Sequence, residues 1–268
     1  MYIKTNAIAN QLYVPYTQNV RGLALSARRL ATGEKIPTAA DGAGELGVAE
    51  KWEQRRRGTN KLIDGMTNSL GYFRSQDVSL DQVSEIMHRM SELTASALDV
   101  SKSTADRGAL NTEFQALAQE FENMRSRVYN GISLFASGSY AIRADISTGG
   151  AAFVVVSGIT IGRISFTNRN ITQLTSAQTT LDSLNDRFAS LAEMRARAGN
   201  NVNEVERVID YTRTHVKELT ESENAIRNVD IAIESGNFIN KQVLLSASQS
   251  VLAQANGIVQ SALQFLTS

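Results

Sequence analysis

The chain has 268 residues and carries 27 basic and 27 acidic side chains, so its formal net charge is zero. A neutral chain is poorly suited to nucleic acid, because such binding depends on cations that displace the counterions of phosphates. The absence of cysteine, with only His88 and His215 as histidines, excludes disulfides and thiolate metal sites and leaves little imidazole chemistry for catalysis.

The first segment predicts a helix with one apolar face. Residues 1–20 contain one charged residue, Lys4, and no basic region followed by an apolar run, so we expect no cleavable secretory signal. The apolar residues recur at helical spacing: Ile8, Leu12, Tyr16, Leu23, Ala27 and Leu30. Pro15 is expected to kink this helix or delay its start, because proline removes a backbone hydrogen bond.

Two further helical patterns follow. The first predicts helix throughout 44–101, with a shift of register near Asp77 that does not end it. Gly42-Ala-Gly44-Glu-Leu-Gly47 at its start matches the dinucleotide fingerprint, but no strand precedes it, so we expect no cofactor. The second pattern predicts a helix over 106–129, with Asp106 as its N-cap and Asn130-Gly131 as its stop signal.

The centre of the chain has a sequence pattern typical of strands and turns. Residues 140–146 alternate in polarity, residues 147–150 have turn chemistry, and residues 153–156 and 159–161 are β-branched or aromatic. This pattern predicts a small β-hairpin near 140–161. A hairpin alone is marginal in water, so we expect it to pack on the neighbouring helices.

The segment from Leu174 to Ile226 has the strongest helical pattern of apolar residues. Sixteen positions step alternately by three and four residues, and thirteen of them are apolar. No proline interrupts the segment, so we predict one helix, roughly 75 Å long, with a coiled-coil type of apolar seam.

The last segment, 242–268, contains no charged residue and presents a wide apolar face. Pairing with the first helix covers part of that face, and we expect the rest to be buried against other subunits. The predicted fold is therefore mainly α: an elongated helical bundle or coiled coil with a small β-hairpin and paired terminal helices. Its predicted parts are the terminal assembly helices, 1–43 and 225–268, and a rod-like bundle, 44–224.

Several sequence blocks resemble the bacterial flagellins. Arg29-Leu-Ala-Thr-Gly33 and the following residues 36–44 are similar to the flagellin signature after the first terminal helix, and residues 249–266 are similar to the C-terminus of that family. Tyr129-Asn130-Gly131 and Asp230-Ile-Ala-Ile-Glu234 also fall where flagellins have them. Residues 136–164 stand where many members insert large outer domains, so the chain resembles a near-minimal flagellin.

The resemblance implies a structural subunit that self-assembles into the extracellular flagellar filament for motility and has no catalytic site. It implies export without a cleavable signal through the flagellar export apparatus, a secretion chaperone, and contact with filament cap and junction proteins. We expect no cofactor, metal, nucleic acid or membrane insertion. The assembly interface is expected to include an apolar set: Ile8, Leu12, Leu23, Leu30, Leu244, Val251, Leu252, Ile258, Leu263 and Leu266.

Three alternatives remain open at this stage. Arg89, Leu93 and Glu113 match positions of the flagellin stretch recognised by toll-like receptor 5, but His88, Ser91 and Thr94 differ from the usual residues. The simpler interpretation is that Leu93 is an apolar seam residue and that Arg89 and Glu113 are ordinary surface charges. A hook–filament junction protein would share the same terminal helices. An intracellular coiled-coil scaffold would not need uncharged ends, and an inserted metalloprotease is excluded because no H-E-x-x-H motif occurs.

Overall fold

The structure, a computed structural model, describes residues 7–143, 153–161 and 166–267, and the side chains of 9–143, 155–161 and 166–261. Five helices are described: α1 (Ala7–Thr32), α2 (Ala39–Ala97), α3 (Thr104–Arg125), α4 (Leu174–Arg227) and α5 (Ile231–Thr267). Four strands are described: β1 (Val128–Tyr129), β2 (Ile132–Ser133), β3 (Ser139–Arg143) and β4 (Phe153–Ser157). The fold is mainly α, as predicted. None of the described helices is long and apolar enough to cross a membrane.

The chain divides into two compact units. Unit 1 contains the two ends of the chain, up to Gln54 and from Glu218 onward, and unit 2 contains Arg55–Lys217. The boundaries fall inside α2 and α4, because both helices contribute residues to both units.

Helix α1 runs through Pro15 from Ala7 onward, so the expected late start is wrong. Only the carbonyl one turn before a proline loses its amide donor, and the flanking turns retain their bonds. Helix α1 ends at Thr32, and Gly33 follows with a φ of 72° and donates its N–H to the Arg29 carbonyl at 2.8 Å. This left-handed conformation suits glycine and is a common way to end a helix.

The boundaries of α2 and α3 correct two predictions. Helix α2 ends at Ala97 rather than 101, and the Asp99 carboxylate then accepts hydrogen bonds from the N–H and hydroxyl of Ser101 in a turn. Ser103, not Asp106, is the N-cap of α3. Asp106 is the third residue of the helix, and its carboxylate accepts the Ser103 N–H at 2.9 Å to complete a capping box. The Ser103 hydroxyl also donates to this carboxylate, and the hydrogen bonds from the hydroxyl and the N–H of Ser103 lower the pKa of Asp106.

The Asn130-Gly131 pair does not end a helix. Helix α3 stops earlier, at Arg125, and the pair forms the turn of a hairpin in which Tyr129 pairs with Ile132. Asn130 has a φ of 48° and Gly131 a φ of 80°. Two consecutive residues with positive φ are typical of the type I′ turn, which favours Asn-Gly. The predicted helix stop at this pair is therefore wrong, because the same two residues are also a strong hairpin signal.

Substituting Gly131→Ala is expected to destabilise unit 2 by about 1–2 kcal/mol, because a Cβ is strained at positive φ. Gly108→Ala is the matched control. Gly108 lies in the interior of α3 with no atom near a built Cβ, so alanine there should stabilise the protein by up to about 1 kcal/mol. Urea unfolding of both variants measures the two changes, and shifts of the same sign would contradict the turn assignment.

The predicted central hairpin is confirmed for part of its length. Strands β3 and β4 pair antiparallel from Ser139 opposite Ser157 to Arg143 opposite Phe153. The predicted turn at 147–150 lies outside the described residues. Ile159 and Ile161 are not in the strand, although both are buried in the core of unit 2.

The core of unit 2 is formed by one face each of α2, α3 and α4, closed by the segments around the hairpins. Its fully buried large side chains are Met66, Phe73, Leu80, Met87, Met90, Phe114, Phe121, Ile159, Phe166, Ile171 and Leu184. The predicted apolar seam of α4 is confirmed, because every seventh position from Ala177 to Val205 is buried.

Tyr72 donates a hydrogen bond to the Ser133 carbonyl at 2.9 Å, and Asn201 donates to the Ser157 carbonyl at the same distance. These bonds connect both hairpins to the helices.

Candidate functional site

Helices α1 and α5 form an antiparallel pair within unit 1. Asn19 Nδ2 lies 3.4 Å from Ser248 Oγ, and Arg29 Nη1 lies 3.6 Å from Glu234 Oε2. The facing positions step alternately by three and four residues on both helices, and each of them is buried or half-buried. We call these positions the seam: Ala9, Leu12, Tyr16, Asn19, Leu23, Ser26 and Leu30 on α1, and Glu234, Phe238, Lys241, Leu245, Ser248, Leu252, Ala255 and Val259 on α5.

The seam is more polar than the core of unit 2. Within the described parts of α1 and α5, Ala255 is the one apolar side chain that is fully buried. Glu234 is also buried, at 5% exposure, and its Oε1 atom and the Nε of Arg29 lack hydrogen-bond partners. The pair therefore gains less hydrophobic stabilisation per residue from its own contacts than the core of unit 2 does.

One end of the pair is held by ionic contacts of Arg227. Its Nε lies 3.1 Å from a Glu34 carboxylate oxygen and its Nη1 lies 2.9 Å from one of Glu53. Hydrogen bonds to Glu53 and Glu34 raise the pKa of Arg227. The Lys35 N–H donates to the Arg227 carbonyl at 2.7 Å, and Glu34 forms an isolated β-bridge with Asn228. The link after α1 is thus fixed beside the link that precedes α5.

Large apolar side chains on the outer faces of the pair are exposed to solvent. They are Tyr13, Val14 and Val20 on α1, and Ile231, Ile233, Ile239, Val243, Leu244, Val251 and Ile258 on α5. From residue 242 onward the sequence of α5 has no charged residue, so burying that part of the surface carries no penalty for desolvating charge on α5. Exposed apolar surfaces of this kind are typical of interaction sites.

The expected assembly residues divide into two groups. Leu12, Leu23, Leu30 and Leu252 are half-buried seam residues. Leu244, Val251 and Ile258 are exposed, at 48%, 45% and 58%. The side chains of Ile8, Leu263 and Leu266 lie outside those that the structure describes.

The three exposed residues are seven apart, so they form one row along α5 to the side of the seam. We call this row the apolar stripe: Leu244, Val251 and Ile258. The exposed residues Tyr13, Val14, Val20, Ile239 and Val243 were not predicted as assembly residues. Their hydrophobicity was visible in the sequence, but the face that each would occupy was not.

The proposed receptor residues lie in unit 2. Arg89 and Glu113 are exposed and joined by a hydrogen bond of 2.7 Å from Nη2, and Arg89 also bonds Glu92 at 3.0 Å. Hydrogen bonds to Glu113 and Glu92 raise the pKa of Arg89. Leu93 is buried in the core, so it contributes packing there.

Unit 2 also contains an apolar cavity of about 200 Å³. It is lined by Asn68, Ser69, Tyr72, Phe73, Tyr129, Asn130, Ile132, Tyr140 and Ile142. Burial, and then the hydrogen bond with Tyr140, raise the pKa of Tyr72, so its phenol is neutral near pH 7. This lining lacks a nucleophile paired with a base. Nor do the described residues place three or more His, Asp or Glu side chains where they could hold a metal ion.

Two family models match most of the sequence. The bacterial flagellin N-terminal helical region matches residues 3–140, and the bacterial flagellin C-terminal helical region matches residues 181–266. These matches cover α1 to α3 and most of α4 and α5.

Curated relatives match over most of their own length. The chain is 27% identical over 243 residues to the flagellin of Halalkalibacterium halodurans, which covers 89% of each chain. It is 24% identical over 257 residues to the flagellar filament 30.7 kDa core protein of Treponema maltophilum, covering 89% of this chain and 90% of that protein. The crystal structure of Bacillus cereus flagellin has a TM-score of 0.50 at 17% identity, covering 56% of this chain and 88% of that one, which supports the fold.

Proposed function

The chain belongs to the bacterial flagellin family, and from this we infer that it is a structural subunit of the flagellar filament, an extracellular polymer that serves motility. The observation that carries this function is the exposed apolar surface of the paired helices α1 and α5, next to a sequence without charge. The relatives named above are flagellins and a filament core protein, which does not favour a hook–filament junction protein.

We further propose that residues 1–43 and 225–268 form the inner assembly region of the filament and that residues 44–224 form a separate rod-like bundle. The exposed side chains of α1 and α5 support this division, because each large apolar side chain gains roughly 1.5–3 kcal/mol when it is buried. Contacts between different surfaces of identical subunits produce an open helical polymer when they do not close into a ring. The terminal pair then becomes stable mainly through neighbouring copies.

Ordering of the terminal helices is proposed to accompany addition of each subunit. Ordering the backbone costs about 1–2 kcal/mol per residue. This cost offsets much of the free energy gained from burial, so net assembly is modestly favourable. Such a subunit suits export by the flagellar apparatus with a chaperone and capture beneath a filament cap. Recognition by toll-like receptor 5 through Arg89 and Glu113 stays a prediction.

Removal of residues 242–268 is expected to abolish filament formation. The truncation removes the apolar stripe and most of the α5 side of the seam, whereas the core of unit 2 is untouched. Electron microscopy of purified full-length and truncated protein tests this. A retained thermal unfolding transition in the truncated chain is the control for unit 2, and filaments formed equally by both chains would contradict the function.

A further inference from the structure

The apolar residues of the seam do not select one register by themselves. Each helix repeats an apolar residue every seven positions: Tyr16, Leu23 and Leu30 on α1, and Phe238, Leu245, Leu252 and Val259 on α5. Sliding α5 by seven residues, about 10 Å, brings each apolar residue to the level of the next one. Hydrophobic contact alone would therefore tolerate a slipped pair almost as well as the observed one.

Charged residues in and beside the seam discriminate between these registers. In the observed pairing Arg29 contacts Glu234, which is buried. Lys241 lies across Gly22, because a Cβ built on Gly22 would stand 3.3 Å from the Cδ and Cε of Lys241. The glycine thus leaves room for the methylene chain of the lysine, which carries its charge beyond the helix backbone.

Both slipped registers place these charges unfavourably. A slip of seven residues in one direction brings Arg29 to the level of Lys241 and sets two cations against each other. It also carries Glu234 beyond the end of α1 at Thr32. A slip in the other direction moves Glu234 to the level of Gly22, where its buried carboxylate loses the cation.

We propose that Arg29, Glu234 and Lys241, with Gly22 opposite the lysine, specify the register in which α1 and α5 pair. This role rests on the proposed function, because a filament lattice requires every copy to present the same surface. A polar or charged contact inside a coiled coil fixes register in the same way, at some cost in stability. The unpartnered Nε of Arg29 and Oε1 of Glu234 are consistent with a contact whose value is specificity.

Cross-linking can measure the register, because the chain has no native cysteine. Asn19→Cys with Ser248→Cys reports the observed register, in which these side chains approach within 3.4 Å. Asn19→Cys with Ala255→Cys reports the register in which Arg29 faces Lys241. A thiol reagent with a reach below about 10 Å distinguishes the two in filaments. Intrachain products run as monomers on a denaturing gel.

The wild-type background should favour the 19–248 product, and Arg29→Glu should invert the ratio by about tenfold or more. The substitution sets two carboxylates together in the observed register and creates an attractive pair with Lys241 in the slipped one. A triple variant adds Glu234→Arg and Lys241→Glu to Arg29→Glu, so that opposite charges meet again in the observed register and like charges meet in the slipped one. The 19–248 product should therefore recover. Arg21→Glu makes the same change of charge at an exposed position of α1 and is the matched control, which should keep the wild-type ratio.

An unchanged ratio in Arg29→Glu would overturn the proposal, as would a triple variant that does not recover. If Arg29→Glu subunits enter no filament, even in mixtures with excess wild-type protein, the triple variant must restore incorporation, and its failure to do so also counts against the proposal. Filament formation by wild-type protein is scored separately by electron microscopy. Its absence would refute the proposed function, whereas the product ratio addresses only the pairing within one chain.

Discussion

Replacing the apolar stripe with lysines, Leu244→Lys, Val251→Lys and Ile258→Lys together, should abolish filament formation at ordinary protein concentrations. Each substitution removes roughly 1.5–3 kcal/mol of the free energy gained from apolar burial, and it adds a charge that must be desolvated in the interface. A loss of at least about 4 kcal/mol per added subunit raises the critical concentration about 1,000-fold, since each 1.4 kcal/mol is a factor of ten. Sedimentation of the polymer at increasing protein concentration measures this change.

The chain offers a matched control on the same helix. Ser246, Ala253 and Gln260 are also exposed and also seven residues apart, but they lie on another side of α5. Lysines at these three positions add the same charge to the same helix at the same spacing. We expect this variant to polymerise with a much smaller rise in critical concentration, and equal effects of the two triple variants would contradict the role of the apolar stripe.

Truncating a core phenylalanine should produce the largest loss of stability. Phe114 is completely buried in unit 2, and Phe114→Ala leaves a cavity that the surrounding helices cannot fill. We expect the free energy of unfolding to fall by about 3–5 kcal/mol. In a domain of this size that lowers the midpoint of thermal unfolding by about 10 °C, which calorimetry or circular dichroism detects.

Val100→Ala is the corresponding control for unit 2. Val100 is 84% exposed in the link between α2 and α3, so truncating it should change the free energy of unfolding by less than about 0.5 kcal/mol. If Phe114→Ala were as mild as Val100→Ala, the core would not lie where the structure places it.

The long helices could be predicted because their information is local. In α4 the apolar residues repeat along a single segment, and the positions that repeat, such as Leu184, Leu191 and Val205, are those found buried. Their partners do not need to be known for the helix to be recognised, since period and length suffice. The mainly α fold follows from this local pattern.

The ends of the helices and strands are harder to predict from the sequence, because the residue patterns that mark them are short and compatible with more than one structure. Asp106 resembled an N-cap, yet the serine three residues earlier offers a hydroxyl to the same helix start and completes a capping box. The Asn130-Gly131 pair suits a helix terminus and a hairpin turn equally well. Its short flanking strands, Val128–Tyr129 and Ile132–Ser133, carry too few residues for a clear alternation.

The candidate site was only partly predictable, because it depends on contacts between segments about 200 residues apart. The sequence identified the apolar, uncharged ends, but it did not indicate which leucines would enter the seam and which would remain exposed. Leu252 and Leu244 lie in the same helix, but Leu252 faces α1 and is half-buried, whereas Leu244 lies on another side of the helix and is exposed. The contact of Arg29 with Glu234 also requires the paired structure to be known.

Hydrogen exchange tests most directly whether neighbouring copies stabilise the terminal helices. The measurement compares amide exchange in the depolymerised chain and in the filament, followed by mass spectrometry of peptides. We predict fast exchange for α1 and α5 in the depolymerised chain and strong protection in the filament, with the core helices of unit 2 protected in both. Strong protection of α1 and α5 in the isolated chain would contradict the account.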